Sequence, residues 1–249
     1  MSADKKAKHA QLPRRGIFRT VDLPPEQRNA AWNEIAGPFF DHVVPLADKT
    51  MDGEIRSDLL GNWATCNIRF NQHSYARRRA RRAEDEFDYY FIQLYRRGTL
   101  HGECAGRAVF VRPGDILILD VREALALRAS AGEIITLIVP HADIERLPAD
   151  LHGQVLLRER DATRQLAARF ESLEALLPGM TADQVDTLWE STRASLIAAI
   201  DDALAQLGVE VQAHRPLEHE PRAARESGEA IISLDDVQKT LLDWVDRAV

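Results

Sequence analysis

The sequence predicts an α+β fold in which an antiparallel β-barrel or β-sandwich is followed by an α-helical hairpin, a linker and a terminal helix. Short apolar runs bounded by turn residues recur at spacings of about 8 to 12 residues, which is typical of antiparallel strands. After Pro148 the apolar period lengthens to about 3.6 residues, which indicates helices. The chain has 249 residues, enough for one large domain with appendages.

The N-terminal part begins with residues 1–22, which carry many charges and no apolar periodicity, so we expect a flexible or loosely docked arm. Residues 23–150 are expected to form the barrel or sandwich, beginning with a short helix at 26–37. Strands are predicted at residues 63–70, 88–95, 100–105, 107–111, 115–120, 124–129 and 133–140. Pro113 and Gly114 separate two of these runs, which predicts a tight hairpin turn between them.

Residues 151–207 are expected to form two helices joined by a short loop, the pattern of an antiparallel pair. Thr181 and Gln184 predict a capping box at the start of the second helix. That helix has an apolar stripe that includes Leu188, Trp189, Leu196 and Ile200. Such a stripe can cover an open face of the barrel or contact a second copy of the chain. We expect a homodimer through these four residues, so that Ile200→Asp gives a folded monomer.

The C-terminal part divides into two segments. Residues 208–230 contain few apolar side chains and are expected to form an extended linker. Residues 231–249 are expected to form a helix, because their apolar residues recur at helical spacing.

The composition argues against several classes of protein. No apolar run approaches the ~20 residues needed to cross a bilayer. The N-terminus lacks the apolar segment of a signal peptide, so we expect a cytoplasmic protein that contacts no membrane. The net charge of −7 is opposite in sign to that of proteins that mainly bind the nucleic-acid backbone. The arginine cluster at 77–82 is expected to be a solvated loop that pairs with the acidic residues after it.

Patterns for catalysis and metal binding are absent from the sequence. Cys66 and Cys104 are the only cysteines, too few for a zinc site, and are expected to be buried thiols. His101 and Glu103 share one face of a strand, but two ligands rarely hold a catalytic metal. No nucleophile elbow, glycine-rich phosphate loop or paired-histidine zinc motif occurs. We therefore expect no metal, no cofactor and no catalytic residue.

The predicted strand at 88–95 presents a face of mixed chemistry. Alternation places on this face Tyr89, Phe91, Gln93 and Tyr95. Aromatic rings with a few polar groups are typical of a small-molecule pocket, and also of an ordinary core whose tyrosine hydroxyls reach the surface. Both interpretations stay open. The candidate ligand contacts are these four residues together with His101.

The order of these segments resembles the N-terminal, cupin-like sensing domain of AraC-family transcription regulators. The matching stretches, within about residues 24 to 207, are YYFIQLYRRG at 89–98, Gly106 followed by Arg107, RPGDILILD at 112–120 and LIVP at 137–140. The resemblance implies a cupin-like barrel that binds an effector or only a partner, and a helix pair that often mediates dimerisation. It also implies a linker to two C-terminal helix-turn-helix motifs. The segment at 231–249 is similar to the first helix of that DNA-binding domain, and no recognition helix follows it in this sequence.

This resemblance favours the effector-sensing and dimerisation region of an AraC-type regulator. The region would bind an unknown small molecule and reach DNA only through a C-terminal domain outside this sequence. Two alternatives stay open, a stand-alone cupin-like protein that binds a ligand or forms heterodimers, and a cupin-class enzyme. Residues 231–249 contain more acidic than basic side chains, so we expect no sequence-specific DNA binding by this chain alone. The sequence does not distinguish among sugars, amines, acids and aromatic molecules as the effector.

Overall fold

The computed structural model describes residues 14–47, 49–60, 63–78, 89–144 and 151–206. Within these residues, two β-sheets pack face to face and three α-helices lie against them. The predicted α+β class is confirmed, and of the two predicted arrangements the sandwich is the one observed. The predicted linker at 208–230 and the predicted terminal helix at 231–249 lie outside the described residues.

The larger sheet has seven strands and the smaller sheet has five. Across the larger sheet the order is β1 (Arg14–Arg19), β3 (Gly53–Leu60), β4 (Trp63–Phe70), β11 (Gly132–Pro140), β6 (Tyr89–Arg97), β9 (Ile116–Asp120) and β12 (Gln154–Leu156). Across the smaller sheet it is β2 (His42–Pro45), β5 (His73–Arg77), β10 (Leu125–Ala129), β7 (Leu100–Cys104) and β8 (Arg107–Val111). Every pairing among them is antiparallel. Strands β1 and β12 extend the larger sheet beyond both ends of the predicted unit at 23–150.

The helices are α1 (Pro25–Ala36), α2 (Asp161–Leu176) and α3 (Ala182–Gln206). The predicted capping box of α3 is confirmed, because the backbone N–H of Thr181 donates to Gln184 Oε1 at 2.8 Å. The backbone N–H of Gln184 donates in return to Thr181 Oγ1 at 3.4 Å. None of the described helices is both long and apolar enough to cross a membrane.

Side-chain alternation in the larger sheet separates two apolar cores. One face, which includes Phe91 and Tyr95 of β6, packs against the smaller sheet and α1, and we call this the inner core. The opposite face, which includes Ile92 and Leu94, packs against α2 and α3, and we call this the outer core. The two periodicities of the sequence therefore meet at the larger sheet, with period 2 in its strands and period 3.6 in the helices that cover it.

The turn around Gly114 does not make a hairpin. Strand β8 pairs with β7 in the smaller sheet, whereas β9 pairs with β6 and β12 in the larger sheet. The backbone of Gly114 has a φ of +91°. Asp115 is fully buried, and its carboxylate accepts hydrogen bonds from the backbone N–H groups of Arg112 at 2.9 Å and Arg158 at 3.0 Å. The predicted hairpin is therefore wrong, because this turn carries the chain from one sheet to the other.

Residues 14–19 form the edge strand β1 of the larger sheet, which pairs with β3, and residues 20–22 form a short 3-10 helix after it. Phe18 is buried, and its ring centroid lies 6.2 Å from that of Trp32. The guanidinium of Arg15 donates two hydrogen bonds of 2.9 Å to Asp58. The predicted flexible arm is wrong for these residues, because charged side chains that alternate with buried ones form an edge strand. The remainder of the predicted arm lies outside the described residues.

The outer core contains the stripe that was predicted to form a dimer interface. Leu196 and Ile200 are fully buried, and the ring of Trp189 stacks on that of Trp63 with centroids 4.6 Å apart. Leu188 is partly buried against the same core. The assignment of these four residues to a dimer interface is therefore wrong, because the larger sheet covers the stripe within one chain. The homodimer itself stays a prediction.

Candidate functional site

The inner core contains a partly open cavity of about 120 Å³ between the two sheets and beneath α1. Its wall consists of 18 residues from α1, the segment after α1 and strands of both sheets. The volume is close to that of engineered apolar cavities of about 150 Å³ that bind benzene. The cavity is therefore of the size of one small ring, well below the ~300 Å³ at which drug-sized pockets begin.

Strand β6 supplies three of the predicted ligand contacts to this wall, namely Phe91, Gln93 and Tyr95. They point to one side because successive side chains of a strand alternate. Thr136 of β11 lies opposite Gln93 in the register, and Cys66 of β4 lies opposite Thr136 on the other side. The pairing of three neighbouring strands thus places two polar side chains near the middle of an otherwise apolar surface.

Helix α1 and the segment after it form the wall that closes the cavity opposite β6. Trp32 and Ile35 of the helix line the cavity together with Phe39 and Phe40. Trp32 lies directly on Gly53, where a Cβ atom would approach Trp32 Cζ3 to 2.3 Å. Only glycine leaves room for the indole at this position, so Gly53 sets how closely α1 approaches the larger sheet.

Two asparagine side chains attach α1 to the neighbouring backbone. Asn29 Oδ1 accepts from the N–H of Met51 at 2.6 Å, and its Nδ2 donates to the carbonyl of Lys49 at 2.8 Å. Asn33 Oδ1 accepts from the N–H of Val43 at 2.8 Å, and its Nδ2 donates to the Val43 carbonyl at 2.9 Å. These four hydrogen bonds fix the helix that covers the cavity.

Gln93 carries an unsatisfied hydrogen-bond acceptor at the cavity. The side chain is 5% exposed, and its Nε2 donates a long hydrogen bond of 3.4 Å to Thr136 Oγ1. Its Oε1 is buried and has no hydrogen-bond partner among the described residues. Buried polar atoms are nearly always paired, so an unpaired amide oxygen in a cavity wall indicates a position for a donor from outside the protein.

His73 is a buried imidazole in the cavity wall. Its Nδ1 lies 2.8 Å from the carbonyl oxygen of Asn71, which requires an N–H on Nδ1. Burial lowers the pKa of His73, against a smaller opposing effect of the Asn71 carbonyl. The imidazole is therefore neutral at pH 7, and Nε2 holds a lone pair rather than a proton.

The remaining titratable groups of the wall are also uncharged. Burial raises the pKa of Tyr95 and of Tyr75 well above the ordinary value, and the two hydroxyls hydrogen-bond to each other. Burial, assisted by Asp58, raises the pKa of Cys66 to about 12. The two cysteines are buried thiols, as predicted. The cavity thus has aromatic and aliphatic walls, a few polar atoms and no formal charge.

Two of the predicted ligand contacts lie elsewhere. Tyr89 follows the same alternation as Phe91 but sits at the end of β6, partly buried, outside the residues that line the cavity. His101 is exposed on β7 of the smaller sheet. His101 therefore does not line the cavity, because alternation along β7 buries Leu100 and Cys104 and turns the histidine outward. Its assignment to a ligand site stays a prediction.

Several wall residues had no signal in the sequence. Trp32 and Ile35 have the spacing of an ordinary helix face, and His73 lies in a short strand that the sequence did not predict. Thr136 lies inside an apolar run that predicts only a buried strand. They become a site through long-range pairing, since β6 contacts β11 and α1 rests on Gly53.

Arg77 joins the segment after α1 to the end of β9. The side chain is buried, and its guanidinium donates to the carbonyl oxygens of Phe39 at 2.8 Å, Asp120 at 3.3 Å and Glu123 at 2.8 Å. The expectation of a solvated arginine loop is wrong for Arg77, because backbone carbonyls hold its charge inside the protein. Residues 79–82 of the same cluster lie outside the described part of the chain.

No metal site is apparent in the part of the chain that the structure describes, where no three His, Cys, Asp or Glu side chains come together in a group that could hold an ion. The absence of metal and cofactor stays a prediction.

Comparison with known proteins agrees with this architecture. The model of the AraC-binding-like domain family matches residues 33–199. The solved structure of the AraC-like transcriptional activator CuxR is similar, with a TM-score of 0.64 and 20% identity over 76% of this chain and 70% of that chain. At this identity the likeness shows the fold alone.

Weaker likenesses reach other cupin folds. EutQ from Clostridium difficile has a TM-score of 0.27 and 12% identity over 36% of this chain and 63% of that chain. A variant of oxalate decarboxylase from Bacillus subtilis has a TM-score of 0.28 and 12% identity over 74% of this chain and 41% of that chain. No curated protein matches the sequence.

Two antiparallel sheets around a cavity, with a helix pair on the outside, define a cupin-like sandwich. The chain belongs to the AraC-binding-like domain family, because the family model covers residues 33–199, more than half of its length. The resemblance found in the sequence is therefore confirmed.

Proposed function

We propose that this chain is the effector-sensing region of an AraC-type transcription regulator, and that the effector is a small molecule held in the inner-core cavity. The observation that carries the proposal is the buried Oε1 of Gln93, which has no hydrogen-bond partner among the described residues and belongs to a side chain in the wall of the inner-core cavity. Membership of the AraC-binding-like domain family supports it. We also propose a cytoplasmic location and no catalytic activity, since a sensor of this kind needs neither a metal nor a nucleophile.

A thermal-shift screen of small metabolites against this chain tests the proposal. A ligand at 100 times its Kd is expected to stabilise the native state by about 2.7 kcal/mol. The variant Thr136→Leu places a larger side chain in the cavity wall and is expected to abolish the shift. Leu137→Met changes the adjacent residue, which faces the outer core, and is expected to keep it. The proposal fails if no compound stabilises the protein, or if Thr136→Leu responds as the wild type does.

We propose in addition that this chain does not read DNA sequence and reaches DNA through a separate C-terminal domain. Arg77, one of the cluster at 77–82, is buried against backbone carbonyls and is not available to a phosphate backbone. Anisotropy titrations at physiological salt should therefore show no discrimination between the upstream region of its own gene and a scrambled duplex. Discrimination that persists at that salt concentration would overturn this part of the proposal.

A homodimer is also proposed, through a surface other than the stripe of Leu196 and Ile200, because the sheet already covers that stripe. Analytical ultracentrifugation at tens of micromolar, roughly the range in which weak dimers of this kind associate, tests it. A monomer there would contradict it and leave the effector proposal untouched.

A further inference from the structure

We propose that the effector is an uncharged molecule of about one aromatic ring that donates a hydrogen bond to Gln93, as a phenol does. This inference rests on the proposed function and narrows it to one chemical class. It follows from three properties of the cavity, namely its charge, its hydrogen-bonding groups and its shape.

The charge of the wall excludes ionised effectors. None of the 18 wall residues is Asp, Glu, Lys or Arg. The titratable wall residues, Cys66, His73, Tyr75 and Tyr95, are uncharged at neutral pH, as described above. An ion that enters this cavity would lose its hydration and gain no counter-charge, which is strongly unfavourable. Carboxylates, phosphates and ammonium compounds are therefore poor candidates.

The hydrogen-bonding groups of the cavity wall favour a ligand that donates a hydrogen bond. Gln93 Oε1 is an unpaired acceptor, whereas Nε2 of the same side chain already donates one hydrogen bond to Thr136. The Nδ1 proton of neutral His73 is used on the carbonyl oxygen of Asn71, so it is not available to a ligand. The hydroxyls of Tyr75 and Tyr95 share one hydrogen bond, in which one of them donates and the other accepts. A ligand with one or two donors satisfies this wall, whereas a sugar would bury more hydroxyls than the wall can pair.

The shape of the cavity suits a flat ring. Aromatic side chains surround it in edge-to-face pairs, with centroid distances of 4.8 Å for Phe39 with Phe91 and 4.8 Å for Phe40 with Tyr75. Such pairs expose both ring faces and ring edges, the two surfaces that an aromatic guest contacts most favourably. The volume of about 120 Å³ corresponds to one ring with a small substituent.

Calorimetric or NMR titration of this chain with phenol, toluene, anisole and benzoate tests the inference. Phenol and toluene have nearly the same size, and only phenol donates. Anisole accepts but does not donate, and benzoate is charged. We expect phenol to bind at least ~10-fold more tightly than toluene and anisole, and benzoate not to bind, because an unpaired buried acceptor discriminates by about that factor.

Two variants assign this preference to Gln93. Gln93→Met keeps the length of the side chain and removes the acceptor, so the ratio of phenol to toluene affinity should fall to about one. Gln93→Leu serves the same purpose if the methionine variant does not fold. Leu137→Met changes the neighbouring residue of Thr136, which packs in the outer core and does not line the cavity, and is expected to keep the preference for phenol.

The outcomes separate this inference from the proposed function. Equal affinity for phenol and toluene, tighter binding of benzoate, or an unchanged preference in both Gln93 variants would overturn the chemical class. If Thr136→Leu then abolishes the binding that remains, the proposal of an effector in the inner-core cavity is retained, and the effector belongs to another chemical class. No saturable binding of any probe at millimolar concentration overturns the class inference, and together with a negative metabolite screen it overturns the effector proposal as well.

Discussion

The two faces of the larger sheet bury similar side chains in different ways. On the outer face, helix residues such as Phe170, Leu196 and Ile200 fill the space against the strands and are fully buried. On the inner face, the same strands leave a cavity and an unpaired amide oxygen on Gln93. Apolar composition alone therefore does not distinguish a filled core from a core that contains a candidate binding cavity. What separates them is whether the packing is complete and the polar atoms are paired.

The largest effect is expected from a charge in the outer core. Ile200→Asp buries a carboxylate without a partner, so the chain should fail to fold rather than give a folded monomer. The control is Leu176→Asp in α2, where the leucine is 48% exposed and the cost should stay within about 0.5 kcal/mol. Circular dichroism and denaturant titration measure both. A folded Ile200→Asp protein would show that the outer core is not required for folding.

Adjacent residues of β11 face the two different cores, so substituting them compares the two cores directly. Leu137 is fully buried in the outer core, whereas Ile138 lines the cavity. Leu137→Ala should lower the free energy of unfolding by about 3 to 5 kcal/mol, because it opens a hole in complete packing. Ile138→Ala should cost about 2 kcal/mol, the lower end of the range, since one side of this residue already faces empty space. Equal costs in urea unfolding would remove the distinction between the two faces.

The pH dependence of stability should come in part from two buried histidines, one of which, His73, lines the cavity. Burial lowers the pKa of both His73 and His152 in the folded protein, although nearby carbonyls oppose this. Unfolded histidine takes up a proton near pH 6.5 and the folded form does not. The neutral histidines therefore contribute in full to the free energy of unfolding above that pH. As the pH falls below it, the free energy of unfolding decreases by at most about 1.4 kcal/mol per pH unit for each histidine. His73→Gln should flatten the decline between pH 6.5 and 5, and an unchanged slope in urea unfolding would contradict this.

The smallest effect is expected from Gln93→Leu in the absence of ligand. It removes an unpaired buried oxygen at the cost of one long hydrogen bond to Thr136, so the free energy of unfolding should rise by about 1 kcal/mol. The outer core offers no equivalent substitution, because none of its described residues has an unpaired side-chain amide. A loss of stability of similar size would mean that the amide is satisfied in the free protein.

The elements that the sequence predicted well are those whose pattern is local. The predicted strands at 63–70 and 107–111 coincide with β4 and β8, and the Thr181 capping box is present. Strands such as β3 and β5 were not predicted, because their inward residues are interrupted by serine, aspartate and arginine. The apolar stripe of α3 looks the same whether it packs on a sheet or on a second chain, so the sequence could not assign it.

The candidate site shows the same limit. Alternation in β6 correctly grouped Phe91, Gln93 and Tyr95, because all three belong to one strand. His101 lies on another strand, β7, and the local alternation does not show which face of β7 meets the cavity. The missing partner of Gln93 results from the pairing of strands more than 40 positions apart, and nothing in the local sequence reports it.

The alternation of β6 has a consequence for how a sensor of this kind can diversify. Its odd-numbered positions 91, 93 and 95 face the inner-core cavity, while positions 92 and 94 pack in the outer core with the helix pair. Selection for a new effector can therefore act on every second residue without disturbing the packing that keeps the domain folded. The same separation offers a protein engineer a short set of library positions, in which altered recognition and loss of stability are encoded by different residues of one strand.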